Sequence, residues 1–256
     1  MSISLEGKTY VIMGVANKRS IAWGIARSLD QAGARLIFTY AGERFEKSVR
    51  DLVATLDGNH EMILPCDVTS DQAVEECFTT IQKEVDVIHG LAHCIAFAKT
   101  EELSGNFSDT SRDGFLLAHN ISSYSLTIVA KYAKPLMTEG GSIVALTYIG
   151  GERVMPNYNV MGVAKASLEM SVRYLAADLG KDGIRVNSIS SGPIRTLSSK
   201  GVSDFNSILR EIEEKAPLRR NTTPEEVGDT ATFLFSDLSR GITGETIHVD
   251  SGYHIL

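Results

Sequence analysis

Short runs dense in valine, isoleucine and leucine recur along the chain, and between them apolar residues return every three or four positions. The runs are TYVIMG from Thr9, RLIFTY from Arg35, EMILPC from Glu61, GLAHCIAFA from Gly90, GSIVALTY from Gly141, IRVNSIS from Ile184 and ETIHVD from Glu245. They lack the polar alternation of a sheet with one wet face. Strands covered on both sides, as in a parallel sheet clad in helices, read this way. The stretches between them, such as SIAWGIARSLDQAG closing at Gly33 and SDQAVEECFTTIQKEV from Ser70, carry an apolar stripe at helical spacing. Thr223, Pro224 and Glu226 mark a helix start: a capping hydroxyl, proline at the first position and glutamate at the third. No linker, repeat or low-complexity tract interrupts the alternation. It predicts a single doubly wound, Rossmann-like α/β domain over 1–256, with a parallel sheet of about seven strands and helices on both faces. Ligands of such sheets bind outside the carboxyl ends of the strands, so the residues that follow each run are the candidates.

After the first run comes Gly14-Val15-Ala16-Asn17-Lys18-Arg19-Ser20-Ile21-Ala22-Trp23-Gly24. This is not the GxGxxG fingerprint, yet its physical ingredients are present. Gly14 permits a tight turn, Ser20 stands where a capping hydroxyl is preferred, and Gly24 allows a helix to pack closely on the sheet. A helix N-terminus placed there suits an anion, although a plain βα turn also fits the segment. The second run ends at Tyr40, followed by Ala41, Gly42, Glu43 and Arg44. A carboxylate there would hold ribose hydroxyls and a cation would hold a 2′-phosphate, so Glu43 and Arg44 pull in opposite directions. The third run ends Cys66-Asp67-Val68. Asp67 can accept from an adenine amino group or cap the next helix, and the sequence leaves both open.

The stretch YNVMGVAKASLE places Tyr158 seven residues before Lys165. On a helix that is roughly 700°, about 20° short of two turns, with starting points about 10 Å apart along the axis. Phenol and ammonium then leave one face, too far apart for direct pairing but within reach of one ligand. A cation nearby also favours the phenolate and sharpens the phenol as a donor. Taken alone, the pair also fits an exposed tyrosine and a solvated lysine.

Net charge of −7 across 256 residues argues against a general nucleic-acid partner. Of six histidines only His89 and His93 have ligand-like spacing, and no third ligand accompanies them, so no metal is expected. Cys66, Cys77 and Cys94 are odd in number and lack CxxC spacing, which suits reduced thiols in a cytoplasmic setting. The stretch MSISLEGKTYVIMG reads as a lead into the first strand, and no apolar run approaches the roughly 18 residues of a membrane span.

Together these segments resemble the short-chain dehydrogenase/reductase superfamily, and within it the enoyl-[acyl-carrier-protein] reductases of bacterial fatty acid synthesis. The resemblance runs from about Leu5 to His254 and rests on six segments: GxxxxxSIAxG at Gly14–Gly24, CDV at Cys66–Val68, ISSYS at Ile121–Ser125, YNVMGxAKASLE from Tyr158, RVNSISSGPIRT from Arg185, and HVDSG at His248–Gly252. Most superfamily members carry YxxxK with a serine about 17 residues before the lysine. Here the spacing is YxxxxxxK, and Tyr148 stands at the serine's place. That rearrangement separates enoyl reductases from ketoacyl reductases.

The resemblance implies that Gly14, Ser20 and Ile21 line the pyrophosphate and ribose region, that Asp67 and Val68 hold adenine, and that Ile95 packs near a ribose. Lys165 would hold the nicotinamide ribose, with Ile194, Arg195, Thr196, Leu197 and Ser198 closing over the carboxamide and pyrophosphate, and Ala98 bordering the substrate. Relatives that favour NADPH carry basic residues after the tyrosine that ends strand two; Ala41 and Gly42 stand there instead, which favours NADH over NADPH. The implied reaction reduces the trans-2 double bond of an enoyl thioester, with Tyr158 donating to the thioester oxygen and Tyr148 orienting the thioester or simply packing. The segment around 195–215 is expected to form a mobile lid, with Leu197, Val202, Phe205 and Ile208 facing an acyl chain. Acyl carrier protein is the implied partner, docking on Lys200, Arg210, Lys215, Arg219 and Arg220, and a homotetramer is the implied assembly. The rival readings are a 3-ketoacyl or other carbonyl reductase, and a non-catalytic NAD(P)-sensing protein.

Overall fold

A computed structural model of the chain describes residues 3–58, 60, 62–196, 199 and 204–256; Leu197, Ser198, Lys200 and Val202 lie outside the described residues. Among the described residues seven strands are present: β1 (Thr9–Met13), β2 (Arg35–Tyr40), β3 (Ile63–Pro65), β4 (Gly90–His93), β5 (Gly141–Thr147), β6 (Ile184–Ser191) and β7 (Thr246–Val249). They form one parallel sheet in the order β3-β2-β1-β4-β5-β6-β7. The helices are α1 (Ile21–Gln31), α2 (Glu43–Val53), α3 (Asp71–Glu84), α4 (Arg112–His119), α5 (Ser125–Ala133), α6 (Asn159–Leu179), α7 (Phe205–Lys215) and α8 (Pro224–Phe235). A π-helical turn, Asn120–Tyr124, joins α4 to α5.

The continuous apolar runs are explained by cover on both faces. Val11 and Met13 of β1 point into a core with Phe78 of α3, Val129 of α5 and Val172 of α6. Tyr10 and Ile12, on the alternate positions, point into a second core with Ile25 of α1 and Leu234 of α8. Such fully buried side chains each contribute about 1.5–3 kcal/mol of transfer free energy. The predicted start of α8 is realised as a capping box. The Glu226 amide donates to Thr223 Oγ1 at 3.3 Å and the Thr223 amide donates to Glu226 Oε2 at 2.9 Å.

Two expectations change. The run from Gly90 stops pairing at His93, because its neighbour β1 ends at Met13 and turns away at Gly14; the Cys94 amide to the Met13 carbonyl, at 3.2 Å, is the final bond between them. The residues from Ile95 to Lys99 therefore leave the sheet. Gly24 serves helix–helix rather than helix–sheet packing: a Cβ there would stand 2.4 Å from the Pro224 carbonyl oxygen, where α1 meets the start of α8.

Chain order reverses between β1 and β4, which is the topological switch point. The carboxyl ends of these two strands open the crevice where ligands of doubly wound sheets bind.

Candidate active site

Gly14 lies at that crevice with φ of 97°, and a Cβ would stand 2.1 Å from the Cys94 carbonyl oxygen. Only glycine fits, for both conformation and space. Ser20 occupies the N-cap of α1, but it does not cap the helix. Its Oγ accepts from the amides of Ala16 and Asn17, at 3.1 Å each, and so shapes the loop. The first amides of α1, from Ile21 onward, are left without a side-chain cap, the arrangement that receives an anion.

At the far end, Asp67 Oδ1 accepts from the Thr69 amide (2.9 Å) and hydroxyl (2.8 Å), closing a turn. Ser70, not Asp67, caps α3, accepting from the Ala73 amide at 3.2 Å. The capping alternative for Asp67 therefore falls, and its carboxylate stays at the exposed rim beside the buried Val68. Ala41 is exposed beyond β2, Gly42 precedes α2, and the Arg44 guanidinium lies over the Phe45 ring at 4.6 Å. Ile95 packs partly buried beyond β4, and Ile194 packs against the core beyond β6. Arg195 Nη1 donates to Asn206 Oδ1 at 2.5 Å, and Thr196 and Ser199 exchange amide-to-hydroxyl bonds at 3.0 and 3.2 Å.

Tyr158 is not inside a helix, as the spacing argument assumed; it is the N-cap of α6, with Lys165 in the second turn. Asn157 and Asn159 flank it with positive φ, 58° and 22°, conformations that asparagine tolerates best after glycine. The Tyr158 ring lies against Gly150, where a Cβ would be 2.4 Å from its Cδ1, and meets the Tyr148 ring edge-on at 4.9 Å between centroids. Ala96 and Ala98 pack into the same small cluster. Burial, then Tyr148 and Glu169, push the Tyr158 phenol well above the ordinary tyrosine range. Burial likewise raises Tyr148, followed by Tyr253, Glu211 and Asp250.

The Lys165 ammonium turns toward the sheet and donates to the Leu146 carbonyl at 2.6 Å. It is 5% exposed. Burial lowers its pKa to about 8, against the opposing pull of Cys94 and Glu169. The expected lowering of the tyrosine by this cation is thus absent from the groups that act on Tyr158. Glu169, one turn beyond Lys165, accepts from Thr147 Oγ1 at 2.6 Å and is itself raised, chiefly by burial. Gly150, Glu169 and the Leu146 carbonyl were not foreseen. The Gly150-Gly151 pair after Tyr148, and a glutamate four residues beyond Lys165, were the available signals.

His89 and His93 lie at opposite ends of β4. His93 Nε2 bonds Ser125 Oγ at 2.8 Å, and burial, then Lys165, lowers its pKa to about 3. His89 Nδ1 accepts from the Thr9 amide at 3.0 Å. On α7, Leu209 and Ile212 are buried, and Glu211 accepts from Tyr253 Oη at 3.2 Å. The basic patch is smaller than its residue count: Lys215 pairs with Glu211 at 2.9 Å and Arg220 with Glu226 at 2.5 Å.

A Gly-turned crevice, a buried lysine and two tyrosines packed edge to face thus lie beyond the strand ends. The family model described as Enoyl-(Acyl carrier protein) reductase matches residues 14–254. The chain is 76% identical over 255 residues to enoyl-[acyl-carrier-protein] reductase [NADH] FabI of Bacillus subtilis, covering 100% of this chain and 99% of that one. It is 62% identical over 254 residues to the corresponding [NADPH] protein of Staphylococcus aureus, covering 99% of each. Among solved structures, the Bacillus cereus enoyl-acyl carrier protein reductase with NADP+ and indole naphthyridinone superposes with a TM-score of 0.98 at 72% identity, covering 100% of this chain and 99% of that one. The chain belongs to the enoyl-(acyl carrier protein) reductase family.

Proposed function

We propose that this chain reduces the trans-2 double bond of enoyl thioesters carried by acyl carrier protein, using NADH, through Tyr158, Tyr148 and Lys165. The observation that carries the reading is the edge-on Tyr148–Tyr158 pair, with the buried Lys165 ammonium held on the Leu146 carbonyl two residues before Tyr148. A carbonyl reductase of this fold needs a small hydroxyl where Tyr148 stands, and a sensor needs neither Tyr158 nor Lys165.

The chain's own residues fit a dinucleotide. Gly14 lets β1 turn sharply against Cys94 at the crevice, α1 presents uncapped amides, and the Asp67 carboxylate remains at the rim. Ser20 and Ile21 frame the phosphate loop, and Val68 and Ile95 supply apolar walls. Ile194, Arg195 and Thr196 stand where the residues after β6 would close over the ligand, with Leu197 and Ser198 assigned there on the resemblance alone. Reduced nicotinamide, when bound, supplies the hydride. Lys165, whose ammonium donates to the Leu146 carbonyl, would hold the ribose hydroxyls of that cofactor.

As the β-carbon is reduced, negative charge collects on the thioester oxygen. A Tyr158 phenol held protonated by burial donates a hydrogen bond to that oxygen where the charge appears. Tyr148 packs edge-on to it and orients the thioester, and Ala98 borders the acyl chain. The α-carbon takes its proton from solvent.

NADH over NADPH follows from Ala41 and Gly42 beyond β2 and from Arg44 being folded over Phe45. The lid is assigned to the segment 195–215 on the resemblance; its described part is α7, and residues 197, 198 and 200–203 lie outside the described residues. Among the described residues of that patch, exposed Arg210 and Arg219 are the cations available to an acidic carrier protein; Lys200 lies outside the described residues. A homotetramer is assigned on the resemblance, and exposed Val163, Met170 and Tyr174 on one side of α6, with Leu116 and Tyr124 on the adjoining α4–α5 unit, offer an apolar face that a further copy would cover. A cytoplasmic location fits three free cysteines, and among the described residues no helix is long and apolar enough to cross a membrane.

The test follows the absorbance of reduced nicotinamide with a trans-2-enoyl or a 3-ketoacyl thioester, with NADH or NADPH. Oxidation of NADH by the enoyl substrate alone is expected; turnover of the ketone instead would overturn the reading.

A further inference from the structure

The ISSYS segment bears no part of the chemistry above, yet it forms the π-helical turn Asn120–Tyr124 and the first residue of α5. A π turn adds one residue to a helix, weakens its own ladder, and so persists where something else uses it. Here its serines reach three different elements. Ser125 Oγ donates to the Ile121 carbonyl at 2.7 Å and must therefore accept from His93 Nε2, which ties the turn to the end of β4. Ser123 Oγ meets Ser167 Oγ at 2.8 Å, two residues past Lys165 on α6.

The third arm goes to the segment that leaves the sheet after β4. Ser122 is completely buried. Its single hydroxyl accepts from the Phe97 amide at 3.0 Å and donates to the Phe97 carbonyl at 3.1 Å. One side chain thus satisfies both backbone groups of a residue that has lost its strand partners, the role a neighbouring strand would otherwise fill. The residues on either side, Ala96 and Ala98, pack into the cluster that holds the Tyr158 ring. With Phe97 pinned at both groups, the two alanines are held in the cluster that also takes the Tyr158 ring.

We propose that Ser122 is a positioning residue for substrate: by clamping both backbone groups of Phe97 it sets the Ala96–Ala98 strip that borders the acyl thioester beside Tyr158. The inference rests on the reading of Ala98 as a substrate border. Because Ala96 and Ala98 pack in the cluster that takes the Tyr158 ring, the clamp acts on thioester binding more than on dinucleotide binding.

The test uses the full-length enzyme and a trans-2-enoyl-CoA, with Ser122→Ala, Ser122→Cys and Ala98→Leu. Cysteine fills the serine's volume but is a weak hydrogen-bonding group, so it separates packing from clamping, and it carries the test should the alanine variant not fold. Both Ser122 variants are expected to raise KM at least fivefold and to leave the NADH Kd within twofold, with the cysteine variant recovering Tm but not KM. Recovery of KM by cysteine, or a parallel rise in KM and NADH Kd, would overturn the proposal in favour of plain packing. If Ala98→Leu raises KM while both Ser122 variants match the wild type, the clamp is refuted and the border reading stands. If none of the three moves KM, the border reading falls and the clamp with it.

Discussion

The buried charge of Lys165 should impose a penalty on the stability of the cofactor-free protein, and that penalty should vanish at alkaline pH. The ammonium is 5% exposed and holds one carbonyl, so solvent does little to screen the cost of its charge. Its folded pKa is about 8, against an ordinary 10.5. At about 1.4 kcal/mol per pH unit, that gap corresponds to ~3 kcal/mol. The sign follows from proton counts. Between the two values the unfolded chain still holds the proton and the folded chain has released it, so stability rises with pH across that window. Below pH of about 8 both states are protonated and the full cost is present. Urea unfolding of wild type and Lys165→Met, without cofactor, near pH 7 and near pH 10 isolates the term. Near neutrality the variant gains the desolvation term and loses about 1–3 kcal/mol by stranding the Leu146 carbonyl, so the absolute difference there is small. The difference in slope is the sharp quantity: wild type should gain roughly 2–3 kcal/mol on the variant between those pH values. Parallel pH profiles would refute the buried, charged lysine.

The same group predicts that NADH Kd for wild type weakens as pH rises above about 8, approaching tenfold per pH unit, while Lys165→Met binds weakly at every pH; titration by fluorescence checks this. Gly14→Ala should cost about 3 kcal/mol, from a positive φ of 97° and a Cβ at 2.1 Å from the Cys94 carbonyl oxygen, read as a lowered urea midpoint. Thr223→Ala removes half of the capping box on α8 and should cost about 1 kcal/mol without altering kcat. Charge reversal at Arg210 and Arg219 should raise KM for carrier-protein thioesters and spare CoA thioesters; equal effects on both would count against docking there.

Fold class was legible because apolar runs without alternation have few uses other than a buried parallel sheet, and because Thr223, Pro224 and Glu226 name a helix start outright. The ends of β3 and β4 were less legible. Pairing there depends on where the neighbouring strand stops, which the local apolar content of EMILPC or GLAHCIAFA does not report. At the site, Tyr148, Tyr158 and Lys165 stood out by spacing and resemblance, but their electrostatics did not. Helical geometry placed the lysine beneath the tyrosine, whereas the ammonium finds the Leu146 carbonyl on another element and Tyr158 sits ahead of the helix. Ser20 shows the same limit. A serine before a helix has the right chemistry to cap it, yet two loop amides compete for the same oxygen and win. Ser122 gave no local sign of its role, since its partner lies 25 residues away.

The most direct test of the site is Tyr158→Phe, measured for turnover of a saturating trans-2-enoyl thioester and for NADH affinity. Removal of a donor aimed at developing charge typically costs about a hundredfold or more in kcat. The predicted result is a loss of that size with NADH Kd within twofold of wild type. Undiminished turnover, or a loss explained by weaker NADH binding alone, would contradict the assignment of Tyr158 as the donor to the thioester oxygen.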